Sequence, residues 1–133
     1  MSEVISETAR LINAELAEAI FEKNADALVL VDGDTGKIMQ VNDRCSLLFG
    51  YHKSELADQI VEILVPDALR DQHKKHRANF AEDPRSRSMG LGLKLEGRRK
   101  NGTTFPAEIT LAPLQTKMGM FVIVSIRRKE ASI

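Results

Sequence analysis

The sequence predicts an α+β fold in which one antiparallel sheet is covered by helices, and three patterns in it carry that prediction. Met89, Leu91, Leu93 and Leu95 alternate with Gly90, Gly92, Lys94 and Glu96; Ala107, Ile109 and Leu111 then alternate with Glu108, Thr110 and Ala112. Side chains change face at every residue of a strand, so both runs read as strands with one apolar face. Ala27–Val31 and Phe121–Ile126 are almost continuously apolar, which fits strands buried on both faces. Residues 2–23 and 67–83 instead repeat apolar residues every three or four positions, as amphipathic helices do.

In chain order, the first helix carries Ile5, Ala9, Ile12, Leu16 and Ile20 on one face, with Ser2 as its candidate cap. It holds too much apolar surface to lie free, so it packs on its own sheet as a lid or on a second copy of the chain. Ala27–Val31 follows, then a turn through Asp32-Gly33-Asp34-Thr35-Gly36 and a return strand at Lys37–Val41. The Asp-x-Asp spacing suggests a calcium loop. That loop needs a third ligand where Gly36 stands and a bidentate Glu further on, where Asp43 or Arg44 stands, so the turn is read as a polar hairpin. Asp43–Phe49 is a short helix stopped by Gly50, and Cys45 within it reads as a small buried hydrophobe. Ser54-Glu55-Leu56 opens another helical turn, and the apolar run Ile60–Val65 halts at Pro66. The second long helix, Asp67 to Asp83, ends before Pro84. Lys100-Asn101-Gly102 turns the central hairpin, because Asn and Gly accept positive φ.

A chain of 133 residues makes one domain. No apolar run approaches the roughly 20 residues of a membrane span, the N-terminus lacks the pattern of a signal peptide, and a single cysteine fits a reducing cytoplasm. Residues 1–66 hold 12 acidic and 5 basic side chains; residues 67–133 hold 7 acidic and 14 basic. Such a two-ended charge favours head-to-tail self-association or an acidic partner. The basic residues are interleaved with strand and turn positions, which argues against nucleic-acid binding. No Ser/His/Asp or Cys/His arrangement and no phosphate-binding Gly loop is present, so no enzyme is expected. The Arg98-Arg99-Lys100 cluster reads as a solvated hairpin tip.

Several short motifs now combine: Ala27–Asp32 with Gly36-Lys37-Ile38, Val41-Asn42, Leu48-Phe49-Gly50-Tyr51 before Ser54-Glu55-Leu56, Leu64-Val65-Pro66, Gly97–Gly102 with Phe105–Ile109, and Ile126-Arg127. Over about residues 21–128 the chain resembles a PAS domain. The resemblance implies a five-stranded antiparallel sheet wrapped around short helices. It also implies a cytoplasmic sensory role in signal transduction, beside a histidine kinase, diguanylate cyclase or similar output domain. Residues 24–128 are then the PAS domain, residues 2–23 an extra dimerisation helix and residues 129–133 a tail. Ile5, Ile12, Leu16 and Ile20 would form the homodimer interface. The Asp-x-Thr ending of many PAS domains is absent, Arg128-Lys129-Glu130 following Arg127.

The resemblance also implies a ligand or cofactor pocket between sheet and helices, with Met89, Leu91, Leu93, Ile109, Leu111 and Ile123 as its walls. Flavin photochemistry is not expected, because Cys45 lies outside the reactive Asn-Cys-Arg motif of the light-sensing branch. Arg70-Asp71-Gln72-His73 is similar to the proximal-ligand region of heme PAS sensors, which makes His73 a candidate heme ligand. Leu93 stands where the oxygen-sensing branch places its ligand-stabilising Arg. The other reading of the pocket is a core filled by its own leucines, in a module for protein–protein interaction.

Overall fold

The computed structural model describes residues 6–84, 87–89 and 95–129. Helix α1 (Glu7–Lys23) leads into strands β1 (Ala27–Asp32) and β2 (Ile38–Val41). Helices α2 (Asp43–Phe49) and α3 (Lys53–Leu56), two 3-10 turns at Val61–Leu64 and Asp67–Leu69, and helix α4 (Arg70–Glu82) follow. Strands β3 (Arg87–Met89), β4 (Glu96–Arg98), β5 (Thr104–Thr116) and β6 (Gly119–Arg128) complete it.

The strand order is β2-β1-β6-β5-β3, and β4 also pairs with β5. Every pairing is antiparallel. Because β3 and β4 both lie along β5, the sheet is five positions wide, as the resemblance implies. The first and last strands meet at its centre, with Val29 opposite Val124. Their inner face, with Ala27, Val29, Val31 and Ile126, packs on Cys45, Phe49, Leu56 and Leu64 to make the core.

Local chemistry explains the joints. Asn42 caps α2 by accepting from the Cys45 amide, and Gly50 closes that helix in the left-handed conformation. In the β4–β5 turn it is Gly102 that takes the positive φ, 89°, while the Asn101 side chain accepts from the Thr103 amide. Gly97 sits opposite Phe105, and a methyl group there would lie 2.5 Å from the phenyl ring. That ring is buried against Phe49 and under the Arg99 guanidinium, so it has no room to withdraw. Gly97→Ala is therefore expected to destabilise the fold by about 1–3 kcal/mol, read by urea unfolding; an unchanged midpoint would mean the ring repacks freely.

The structure departs from the sequence reading in four places. Helix α1 starts after Ser6, whose extended backbone and hydroxyl cap the Ala9 amide; Ser2 and Ile5 lie outside the described residues. Nor does α1 lie on the sheet as a lid. Its apolar residues stay open to solvent, Leu16 at 55% and Ile20 at 68% exposure. As a result the outer face of β6 is only half-buried, and the expectation of burial on both sides fails there. Finally, Arg98-Arg99-Lys100 is not a solvated tip. Arg99 bonds the Leu48 carbonyl, and Lys100 pairs with Glu55 at 2.6 Å, clamping the hairpin to α2 and α3.

Candidate functional site

A cavity of about 220 Å³ lies between the inner face of the sheet and α4. Strand alternation gives it an apolar floor, with Ala107, Ile109 and Leu111 from β5 and Val122, Val124 and Ile126 from β6. Val61, Leu64 and Leu69 close the opposite side. The polar side chains arrive from α4, where Gln72, His73, His76 and Arg77 line the same space at helical spacing. Asp32 and Glu96 also border it.

Behind the α4 wall stands Glu62, 3% exposed and carried by the first 3-10 turn. Its Oε2 accepts from His73 Nδ1 at 2.5 Å and from Arg77 Nε at 3.3 Å, and its Oε1 accepts from Arg77 Nη2 at 3.0 Å. Burial by itself would raise the pKa of this carboxyl. The hydrogen bonds from His73 and Arg77, with the Arg77 guanidinium charge beside them, outweigh it and hold the group below its ordinary range. Arg77 also lies across Gly36 of the β1–β2 turn, so one guanidinium ties α4 to two neighbouring segments. Glu62 was not singled out from sequence. It sits in the apolar run Ile60–Val65, and its only signal was a carboxylate where a hydrophobe belongs.

The expected wall residues are distributed unevenly. Ile109 and Leu111 line the cavity. Ile123 does not; it occupies the alternate position of β6, pairing Leu30 and Ala112, while Val122 and Val124 face the cavity. In a run of consecutive apolar residues nothing in the sequence reveals which parity points inward. Leu91 and Leu93 lie outside the described residues, and Met89 is described in its backbone alone, opposite Ile109.

A second constellation sits at the foot of α1. Asn42, fully buried, accepts from the amides of Leu28 (2.9 Å) and Cys45 (3.0 Å) and donates to the carbonyls of Phe21 (3.0 Å) and Asp26 (2.9 Å). One side chain thereby joins the last turn of α1, the start of β1 and the start of α2. Lys53 reinforces the joint by pairing with Glu22 and Asp43, and Arg127 by pairing with Asp26. Cys45 beside it is fully buried, and burial pushes its thiol up to about 12. Native protein at pH 8 is accordingly expected to resist a thiol-labelling reagent until urea is added; rapid native labelling would show that α2 opens readily.

Heme can be tested against this geometry. With Nδ1 held by a carboxylate, the His73 imidazole has the partner that metal-bound histidines carry. The space does not fit: pockets for drug-sized ligands begin near ~300 Å³, and a porphyrin exceeds those ligands. With α4 in its observed place, the space bounded by the described residues is smaller than a macrocycle needs. Among the described residues no group of three or more His, Cys, Asp or Glu side chains comes together to hold a metal ion, and no helix is long and apolar enough to cross a membrane.

A family model described as a PAS domain matches residues 25–127. The sensor protein FixL of Bradyrhizobium diazoefficiens is 30% identical over 91 residues, which cover 68% of this chain and 18% of FixL. The oxygen sensor protein DosP of Escherichia coli is 23% identical over 115 residues, 84% of this chain and 14% of DosP. The chain thus spans less than a fifth of either relative. Among solved structures, the PAS domain of an HTR-like protein from Haloarcula marismortui superposes with a TM-score of 0.77, at 20% identity, covering 92% of this chain and 97% of that one. A PAS domain from a two-component sensor histidine kinase gives 0.70, at 20% identity, with 90% and 99% covered.

Proposed function

Because the chain belongs to the PAS domain family, we propose that it is the non-catalytic sensory unit of a cytoplasmic signalling protein. In this reading a small molecule held in the cavity is read out through α1 and a homodimer. The cavity carries the proposal: it is apolar on the sheet side and polar on the α4 side, the lining of a ligand pocket. Its floor includes Val31 of β1 and Ile126 of β6, and Asn42 bonds the same β1 at Leu28 and α1 at Phe21. A guest that shifts β1 against β6 would strain that shared side chain and bias the angle at which α1 leaves the domain. The output would be a histidine kinase, a diguanylate cyclase or a similar partner.

Two measurements test the parts separately. Ile12, Leu16 and Ile20 form an exposed stripe on α1 that a second copy would cover. Leu16→Glu is expected to halve the mass seen by light scattering while circular dichroism stays unchanged; an unchanged mass would remove the helix from dimerisation. The absorption spectrum with added hemin is expected to match that of free hemin. A Soret band that shifts on reduction and vanishes in His73→Ala would instead make heme the ligand and require α4 to move.

A further inference from the structure

We infer that the cavity selects a neutral, largely apolar guest bearing one hydrogen-bond donor, and that Nε2 of His73 is the atom that reads the donor. This rests on the cavity being a ligand site, as proposed above.

The argument begins at Glu62. An ionised carboxylate only accepts hydrogen bonds, so the Nδ1 that touches it carries the proton. In the neutral imidazole the other nitrogen is then a bare acceptor, since the tautomer is set by the partner of the first. His73 lines the cavity while its Nδ1 is occupied, which leaves Nε2 as the ring nitrogen open to a guest. A guest that offers an N–H or O–H there gains a hydrogen bond; one that offers only a lone pair meets another lone pair.

Charge excludes the alternatives. Among the described side chains, the ionisable residues around the space are Asp32, Glu96, His73, His76 and Arg77, and Arg77 is already paired with Glu62 through two nitrogens. An anion would therefore enter beside the carboxylates of Asp32 and Glu96, with the Arg77 guanidinium already engaged. A cation would place its charge against the apolar floor of β5 and β6. Size narrows the class further. A dry cavity of ~150 Å³ takes benzene, so about 220 Å³ suits a bicyclic molecule.

Three probes of similar size separate the donor, acceptor and anion cases: indole, with an N–H donor; benzofuran, of nearly the same shape with an oxygen acceptor; and benzoate, an anion. Calorimetric titration of the full chain is expected to rank indole about five- to tenfold tighter than benzofuran, with benzoate weakest. His73→Leu should bring the indole-to-benzofuran ratio to about one. If that variant fails to fold because Glu62 loses a partner, the double variant Glu62→Gln, His73→Leu removes the buried charge and gives the same reading. Equal binding of indole and benzofuran to the native protein, a preference that survives loss of His73, or tightest binding of benzoate would each overturn the assignment while leaving the cavity a ligand site. No binding of any probe would overturn both this inference and the ligand reading beneath it.

Discussion

Asn42→Ala is expected to lower the unfolding free energy by about 3–5 kcal/mol, the largest effect of any single substitution proposed for this domain. The side chain satisfies two amides and two carbonyls, and none of its own polar atoms reaches solvent. Removing it orphans four groups, each worth about 1–3 kcal/mol when fully buried, and water entering the vacated space recovers part of the loss. Whole domains rest on about 5–15 kcal/mol, so the variant should unfold at a much lower urea concentration. Amide exchange should accelerate most in the last turn of α1, where the Phe21 carbonyl loses its partner. A loss below about 1 kcal/mol, or an α1 whose exchange is unchanged, would show that Asn42 neither holds the joint nor transmits across it.

Glu62→Gln comes second, with an expected loss of about 1–3 kcal/mol at pH 7. The exchange removes the charge from hydrogen bonds that charge strengthens, but His73 and Arg77 keep partial access to water and are not stranded. The pH dependence has a definite sign. The native carboxyl titrates below its ordinary 4.5, so in acid the unfolded chain binds the proton more readily. The contribution is complete above about pH 4.5 and is lost as pH falls through the lower native value. The Glu62 share of the stability gap between wild type and variant should close as pH falls below about 4.5. A gap that widens in acid would mean that Glu62 is protonated in the native state.

These two residues mark the boundary of what the sequence discloses. The sheet was legible because its strands alternate or run apolar, and its turns carry Asp32–Gly36 and Asn101-Gly102 at the right places. Gly50 was readable as the stop of α2. The tertiary role of Asn42 was not, since Phe21, Asp26 and Leu28 approach it only after folding. Glu62 was hidden for the same reason, its partners lying 11 and 15 residues onward on another helix. Ile123 shows a different limit: four successive apolar residues from Phe121 erase the alternation that tells inside from outside. The exposed stripe of α1 was legible as amphipathic, but periodicity identifies a face without identifying what covers it.

The central claim, that a guest in the cavity is felt at the foot of α1, is tested most directly by an amide and side-chain NMR titration with indole. The account expects shifts at Ile109, Leu111, Val124 and His73 together with the Asn42 side-chain amide and the residues Phe21–Asp26. Shifts confined to the exposed outer surface, around Leu114 and Met118, would contradict it, as would cavity shifts that leave Asn42 unmoved.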